Sequence, residues 1–280
     1  MNEDVKTRAK ALLEDGRVDG VLGLSLVDGE PCPALFIDPQ QTDTLVTEPK
    51  WLLAKTAMGM LKTLPDSYRL GIVCRGCDER ALTELAKRNQ LDLQRIRLIG
   101  LVCSPEQARA CMCTMPYTSL TDPGERHPGT DPRLDERAKP FLEGSLEDRL
   151  EKWTSEFSKC IKCYGCRNAC PICVCVPCKL EDDLWVKRGE IPADRVSYHL
   201  IRAFHLSDSC VGCGGCMDAC PVHIPLMLLQ VSMREALKEA YGYETGLDPA
   251  RVSPVLADLV QEPSPRYEEP GWTDSLQGES

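Results

Sequence analysis

CIKCYGCRNACP at residues 160–171 and CVGCGGCMDACP at residues 210–221 share one spacing, Cys-x2-Cys-x2-Cys-x3-Cys-Pro. Three thiolates this close on one loop can cap three irons of a single [4Fe–4S] cube. The fourth, where the chain turns away, reaches a second cube. The spacing therefore assigns Cys160, Cys163, Cys166 and Cys220 to one cluster, and Cys210, Cys213, Cys216 and Cys170 to another. The competing assignment is a pair of structural zinc sites. Zinc ribbons draw four thiolates from two Cys-x2-Cys pairs, not from matched quartets that each end in Cys-Pro. Pro171 and Pro221 have no N–H to donate and force the chain away from the cube. Gly165, Gly212, Gly214 and Gly215 let backbone amides approach the sulfides, contacts that help set the potential.

The stretch from Cys170 to Cys210 is longer than a compact βαββαβ ferredoxin allows, so helices are expected there, at residues 180–187 and 197–204, with another at 225–241. Residues 146–245 thus form a mostly helical, cysteine-rich module. It resembles the α-helical ferredoxin module of succinate dehydrogenase iron–sulfur subunits and of the heterodisulfide reductase C subunit. Similarity to the latter is concentrated in RAFHLSDSCVGCGGCMDACPVHIPL, residues 202–226. The resemblance implies electron wiring rather than a substrate site.

Upstream, residues 1–120 read as an α/β domain. A helix is expected at 4–14, strands at 20–27 and 34–37, and helical periodicity at 51–64 puts Leu53, Met60, Leu61 and Leu64 near one face. A parallel βαβ unit follows: a strand at 70–73, a helix at 78–88 with Asp78 as N-cap, and a strand at 96–102. Such sheets present ligands at the carboxyl ends of their strands, which here carry Cys74, Cys77 and Cys103.

GIVCRGCDERALTELAKRNQL at 71–91, followed by LIGLVC at 98–103, resembles the β-subunit family of deazaflavin-reducing hydrogenases and formate dehydrogenases. The matches fall on Cys77, Asp78, Arg80, Ala81, Leu82, Ile99, Gly100, Leu101 and Cys103. With CMCTMPY at 111–117, the resemblance implies the iron–sulfur branch of that family. It also implies a cluster held by four of Cys74, Cys77, Cys103, Cys111 and Cys113. The other reading of Cys74-x2-Cys77 is a thioredoxin-like exchange pair at a helix start, where thiol pKa values fall. Full-length members also carry FAD with a substrate site beside it. Here Gly16, Gly20, Gly23 and Gly29 are too scattered for a dinucleotide fingerprint.

The chain has 17 cysteines. Beyond the two motifs and Cys32, which stands between two prolines, the remainder is Cys74, Cys77, Cys103, Cys111, Cys113, Cys173, Cys175 and Cys178. These suffice for one or two further four-thiolate sites. Cys173, Cys175 and Cys178, in PICVCVPC, fit another cluster, partial zinc ligation or spare thiols equally in kind.

The 280 residues carry a net charge of −10, which excludes the basic footprint of a nucleic-acid binder. No apolar run is long enough to span a membrane. The charged N-terminus lacks a signal-peptide core, so the thiols are expected reduced, in the cytoplasm, in an anaerobic metabolism. Residues 121–145 read as a Pro- and charge-rich linker and 246–280 as an irregular tail. With four Phe, four Trp and seven Tyr, the aromatic core is lean, so metal binding is expected to contribute to folding. Of the histidines, His127 is expected solvated, His199 and His205 in core or capping roles, and His223 near a cluster. Lys159, Lys162, Arg167 and Lys179 suggest a solvated basic face.

The sequence is thus that of an iron–sulfur electron-transfer subunit, without catalytic residues of its own. Its partners would be the catalytic and flavoprotein subunits of a formate dehydrogenase, hydrogenase or heterodisulfide-reductase-like complex. Two rivals stand beside it: a flavin-dependent subunit exchanging hydride with a deazaflavin or nicotinamide, and an adaptor whose clusters only staple helices.

Overall fold

The apolar run at 20–27 forms β1 (Gly20–Val27), following α1 (Asn2–Glu14). These elements belong to a computed structural model that describes residues 2–120, 126–182, 184, 186–187, 189–191 and 197–257. β1 turns through Asp28 and Gly29, both at positive φ (52° and 86°), into antiparallel β2 (Glu30–Phe36). Positive φ at both central residues is the primed turn that matches strand twist. The second strand is therefore longer than the expected 34–37. Pro31 and Pro33 are accommodated because β2 lies at the sheet edge, where no further strand needs their missing N–H.

β3 (Leu45–Val46) also pairs with β1, and α2 (Ala54–Leu61) follows. The expected βαβ unit is present as β4 (Leu70–Arg75), α3 (Gly76–Lys87) and parallel β5 (Ile96–Leu101). The sheet order is β2-β1-β4-β5. Because β4 runs into α3 without a loop, the N-cap is Arg75, and Asp78 already lies inside the helix. The Asp78 carboxylate instead accepts the Leu53 and Ala54 N–H groups at 2.8 and 3.1 Å, closing the start of α2 from a distance.

One face of the sheet packs under α1, with Val5, Ala9, Val21, Val73 and Ile99 in one core. The other face packs against α2 and α3, and this core continues into the cysteine-rich half through Cys170, Ile172, Leu206 and Val211. Beyond β5 come α4 (Pro105–Ala110), capped by Ser104, then α5 (Lys139–Leu142) and α6 (Leu146–Phe157). Ala138 and Phe141, in the segment expected as linker, are buried, and Phe141 packs on Trp153 with ring centroids 4.6 Å apart.

The cysteine-rich half adds α7 (Gly165–Asn168), α8 (Ser197–His205), α9 (Gly215–Asp218), α10 (Leu228–Tyr241) and α11 (Pro254–Ala257). The helix expected at 180–187 is replaced, among the described residues, by a 3-10 turn at Lys179–Glu181. There the Asp182 side chain takes the Leu184 N–H at 3.1 Å, a local bond that competes with helix propagation. The tail from 258 onward lies outside the described residues. No helix among the described residues is long and apolar enough to cross a membrane.

Glu84, fully buried on α3, ties the C-terminal end of α10 to the sheet. It accepts the Tyr243 hydroxyl at 3.0 Å and the Gly246 N–H at 2.8 Å, and pairs with Lys87 at 2.6 Å and with Arg88.

Candidate metal centres

The two Cys-Pro motifs fold as near copies. α7 follows Lys162 and Tyr164 at positive φ (52° and 58°), and α9 follows Gly212 and Gly214 at 64° and 74°. A Cβ on Gly165 would stand 2.7 Å from the Ala219 carbonyl oxygen, and one on Gly215 would stand 3.5 Å from that of Ala169. Each short helix thus lays its glycine on the Cys-Pro end of the other motif. That crossing carries Cys220 to Cys160, Cys163 and Cys166, and Cys170 to Cys210, Cys213 and Cys216.

Their electrostatics register the grouping. Burial pushes the Cys160 thiol up, and Cys166, Cys220 and Cys163 push it further. Cys216 is pushed up to about 12 by burial, with Cys210 and Cys170 adding to it against Arg202. Thiols so placed resist ionising together unless cationic iron lies among them. The buried Tyr198 hydroxyl interacts with Cys166 and Cys160 and has no oxygen or nitrogen partner, and Ile224 donates its N–H to Cys220 Sγ at 3.4 Å. Donors aimed at the thiol sulfurs fit a sulfide-bearing cluster.

A third grouping was left partly open by the sequence. Cys77 sits on the first turn of α3, Cys103 beyond β5, Cys111 at the end of α4 and Cys113 just after it, and all four are buried. Burial raises Cys77, with Cys113 and Cys103 adding, and it pushes Cys103 up to about 11, with Cys113 and Cys111 adding. Cys74 lies within β4, packed in the aliphatic core with Leu22 and Ile72.

The groupings are neighbours. A Cβ on Gly214 would lie 3.4 Å from that of Cys111, and Cys213 interacts with Cys77. At this junction Lys50 Nζ donates to Cys111 Sγ (2.9 Å), the Cys213 carbonyl (3.0 Å) and Asp218 (2.7 Å). Burial opposes the Lys50 charge, but Cys111 and Asp218 outweigh it and hold the ammonium well above its ordinary range. Buried Arg80 reaches the Met115 carbonyl at 3.1 Å, the Val211 carbonyl at 3.4 Å and Cys113 Sγ at 3.9 Å. Between the two Cys-Pro sets, Cys216 interacts with Cys166, and Arg202 lies among both.

Of the extra cysteines, Cys173 is hydrogen-bonded to Cys170, which draws the Cys170 thiol below its ordinary range. Cys178 packs against the core that contains Cys166 and Cys220, Cys175 is exposed, and Cys32 is half-buried on β2 opposite Ser25. His127 is not simply solvated. Its Nε2 lies 2.9 Å from the Cys103 carbonyl and its Nδ1 2.9 Å from that of Pro128. His199 is buried against Phe157, while the His205 and His223 side chains are exposed. The basic face is largely paired: Lys159 with Glu156, Arg167 with Glu181, Lys179 with Asp182.

Among the described residues no three His, Cys, Asp or Glu side chains converge closely enough for a single metal ion. Zinc pulls four sulfurs to about 2.3 Å from one point. A cube takes one thiolate per iron and spreads them further apart.

Lys50, Arg202 and Tyr198 escaped the sequence reading. A charged residue on the buried face of a short amphipathic helix was the available signal for Arg202. Lys50 carried none, because its partners lie far away in sequence.

Residues 205–225 match the 4Fe-4S binding domain family. Over 114 residues, covering 40% of this chain and 30% of the relative, the sequence is 38% identical to the F420-dependent formate dehydrogenase subunit beta of Methanocaldococcus jannaschii. It is 27% identical to the F420-dependent formate dehydrogenase 1 subunit beta of Methanococcus maripaludis, over 85% of this chain and 89% of that protein. The second alignment runs to 346 positions, more than the 280 residues of this chain, so that relative carries additional residues within the matched span. The first match thus spans under a third of that relative's length. The resemblance to this β-subunit family, expected from residues 71–103, is borne out.

Proposed function

We propose that the chain is an electron-transfer subunit carrying three [4Fe–4S] clusters in a row. The ligands would be Cys77, Cys103, Cys111 and Cys113 at one end, Cys170, Cys210, Cys213 and Cys216 in the middle, and Cys160, Cys163, Cys166 and Cys220 at the other. The observation that carries this reading is the adjacency of successive thiol sets, Cys111 against Gly214 and Cys216 beside Cys166. A [4Fe–4S] cluster, when bound, supplies a one-electron couple. The residues do the rest. The thiols fix three sites in register, and the aliphatic core around Ile172, Leu206 and Val211 keeps water from the middle one. Lys50, Arg80 and Arg202 offset the accumulated negative charge. Exposed Cys163 makes the last set the natural exit to a partner.

The partners would be the catalytic and flavoprotein subunits of a soluble formate-dehydrogenase-type complex in the cytoplasm. A second reading is favoured by the F420 dependence in the relatives' names: a subunit that itself exchanges hydride with a deazaflavin through bound FAD.

The deciding experiment measures iron, acid-labile sulfide, zinc and flavin in anaerobically purified protein. About twelve irons per chain without flavin supports the relay, while about eight removes the Cys77 set. One flavin per chain gives precedence to hydride exchange.

A further inference from the structure

The buried face of α8 is made by Tyr198, His199, Arg202 and Ala203. Arg202 is 6% exposed; it donates to the Cys166 carbonyl at 2.9 Å, its Nε has no hydrogen-bond partner, and it has no carboxylate partner among the described residues. Its charge acts on Cys170 and Cys216 of one thiol set, on Cys166 of the other, and on Cys173 beside them. A buried cation without a counter-ion is costly, so it persists only where negative charge is supplied to it. Here that charge can come from two sides.

Resting on the relay reading, we propose that Arg202 is a positioning charge shared by the two Cys-Pro clusters. It makes both easier to reduce, so that an electron crossing between them stays beside the same positive charge. In that step one cluster loses an electron and its neighbour gains it. No bond forms or breaks, and the guanidinium keeps its proton throughout. The negative charge moves from one side of Arg202 to the other and stays beside it. Lys50 holds the neighbouring junction differently. Its ammonium is already paired with Asp218 at 2.7 Å, so less of its charge is left for the clusters.

The test is an anaerobic redox titration followed by electron paramagnetic resonance, with iron counted on each sample, for the full chain and for Arg202→Gln and Arg202→Lys. In Arg202→Gln with wild-type iron content, both Cys-Pro clusters should become harder to reduce. The expected change is roughly tenfold in the reduced-to-oxidised ratio, about 59 mV more negative, with the Cys77 cluster unmoved. Arg202→Lys should stay near wild type. Unchanged potentials in iron-replete Arg202→Gln would overturn the proposal. A shift confined to the cluster of Cys166 would do the same, since it would reflect only the lost carbonyl hydrogen bond. Should Arg202→Gln lose iron, Arg202→Lys decides alone: retained iron and potentials support a role for the charge, and a tenfold shift or lost iron refutes it. Wild-type protein without the cluster signals would sink the relay reading itself, before any variant is compared.

Discussion

At Gly165 a single carbon separates a working loop from a blocked one. The Cβ of alanine would meet a backbone oxygen, which cannot rotate aside. Gly165→Ala should cost about 1–3 kcal/mol and release iron from the Cys160 set, as read by denaturation and iron content. Cys111→Ser should lower iron by about four per chain, whereas Cys32→Ser, on the edge strand, should leave it unchanged. His199 provides a pH signature. Burial, helped by Arg202, depresses its pKa from 6.5 to about 4. The unfolded chain therefore takes up this proton first, so the contribution is fully present above pH 6.5 and is lost as pH falls toward 4. Denaturation midpoints at pH 7 and pH 5 should diverge less in His199→Phe than in wild type. An equal divergence would assign the acid sensitivity elsewhere.

Among elements, α2 shows how local and distant chemistry combine. Its own N-cap, Leu53, offers no side-chain bond, and the Asp78 carboxylate of α3 substitutes for one. Asp78→Ala would leave three buried N–H groups, those of Leu53, Ala54 and Arg75, without this acceptor, a loss of about 1–3 kcal/mol in urea titrations. On the same helix Gly59 has open space around its missing Cβ. Gly59→Ala should stabilise by about 0.5–1 kcal/mol, and a destabilised variant would mean that a partner covers this face. Much at this scale could be read in advance. The βαβ unit announces itself through short apolar strands around an amphipathic helix, and the motif glycines mark the tight loops. Asp28-Gly29 is a hairpin turn by residue type, but Pro31 and Pro33 fit a strand only at a sheet edge, a place that the strand order alone reveals. Lys50 could not be read, since it acquires meaning only when Cys111, Cys213 and Asp218 are brought together.

Across the whole molecule, the α/β half and the cysteine-rich half share one core and a buried polar tie at Glu84. Glu84 bonds Tyr243 and Gly246 while neutralising Lys87 and Arg88. Glu84→Ala leaves the buried Lys87 ammonium without a carboxylate, while Arg88 keeps Asp208 at 2.9 Å, and a loss of about 3–5 kcal/mol is expected in equilibrium denaturation. A loss below ~1 kcal/mol would show that this tie is solvated in the native protein. The crossed glycine contacts, Gly165 on Ala219 and Gly215 on Ala169, have a consequence for biogenesis. On the proposed ligand sets, a ribosome that has released residue 113 has already made every thiol of one centre, which can be loaded while translation continues. The other two are interlocked: the middle set waits for Cys216, and the last waits for Cys220. Maturation would then proceed in two instalments, and a nascent chain arrested between them would hold a single cluster.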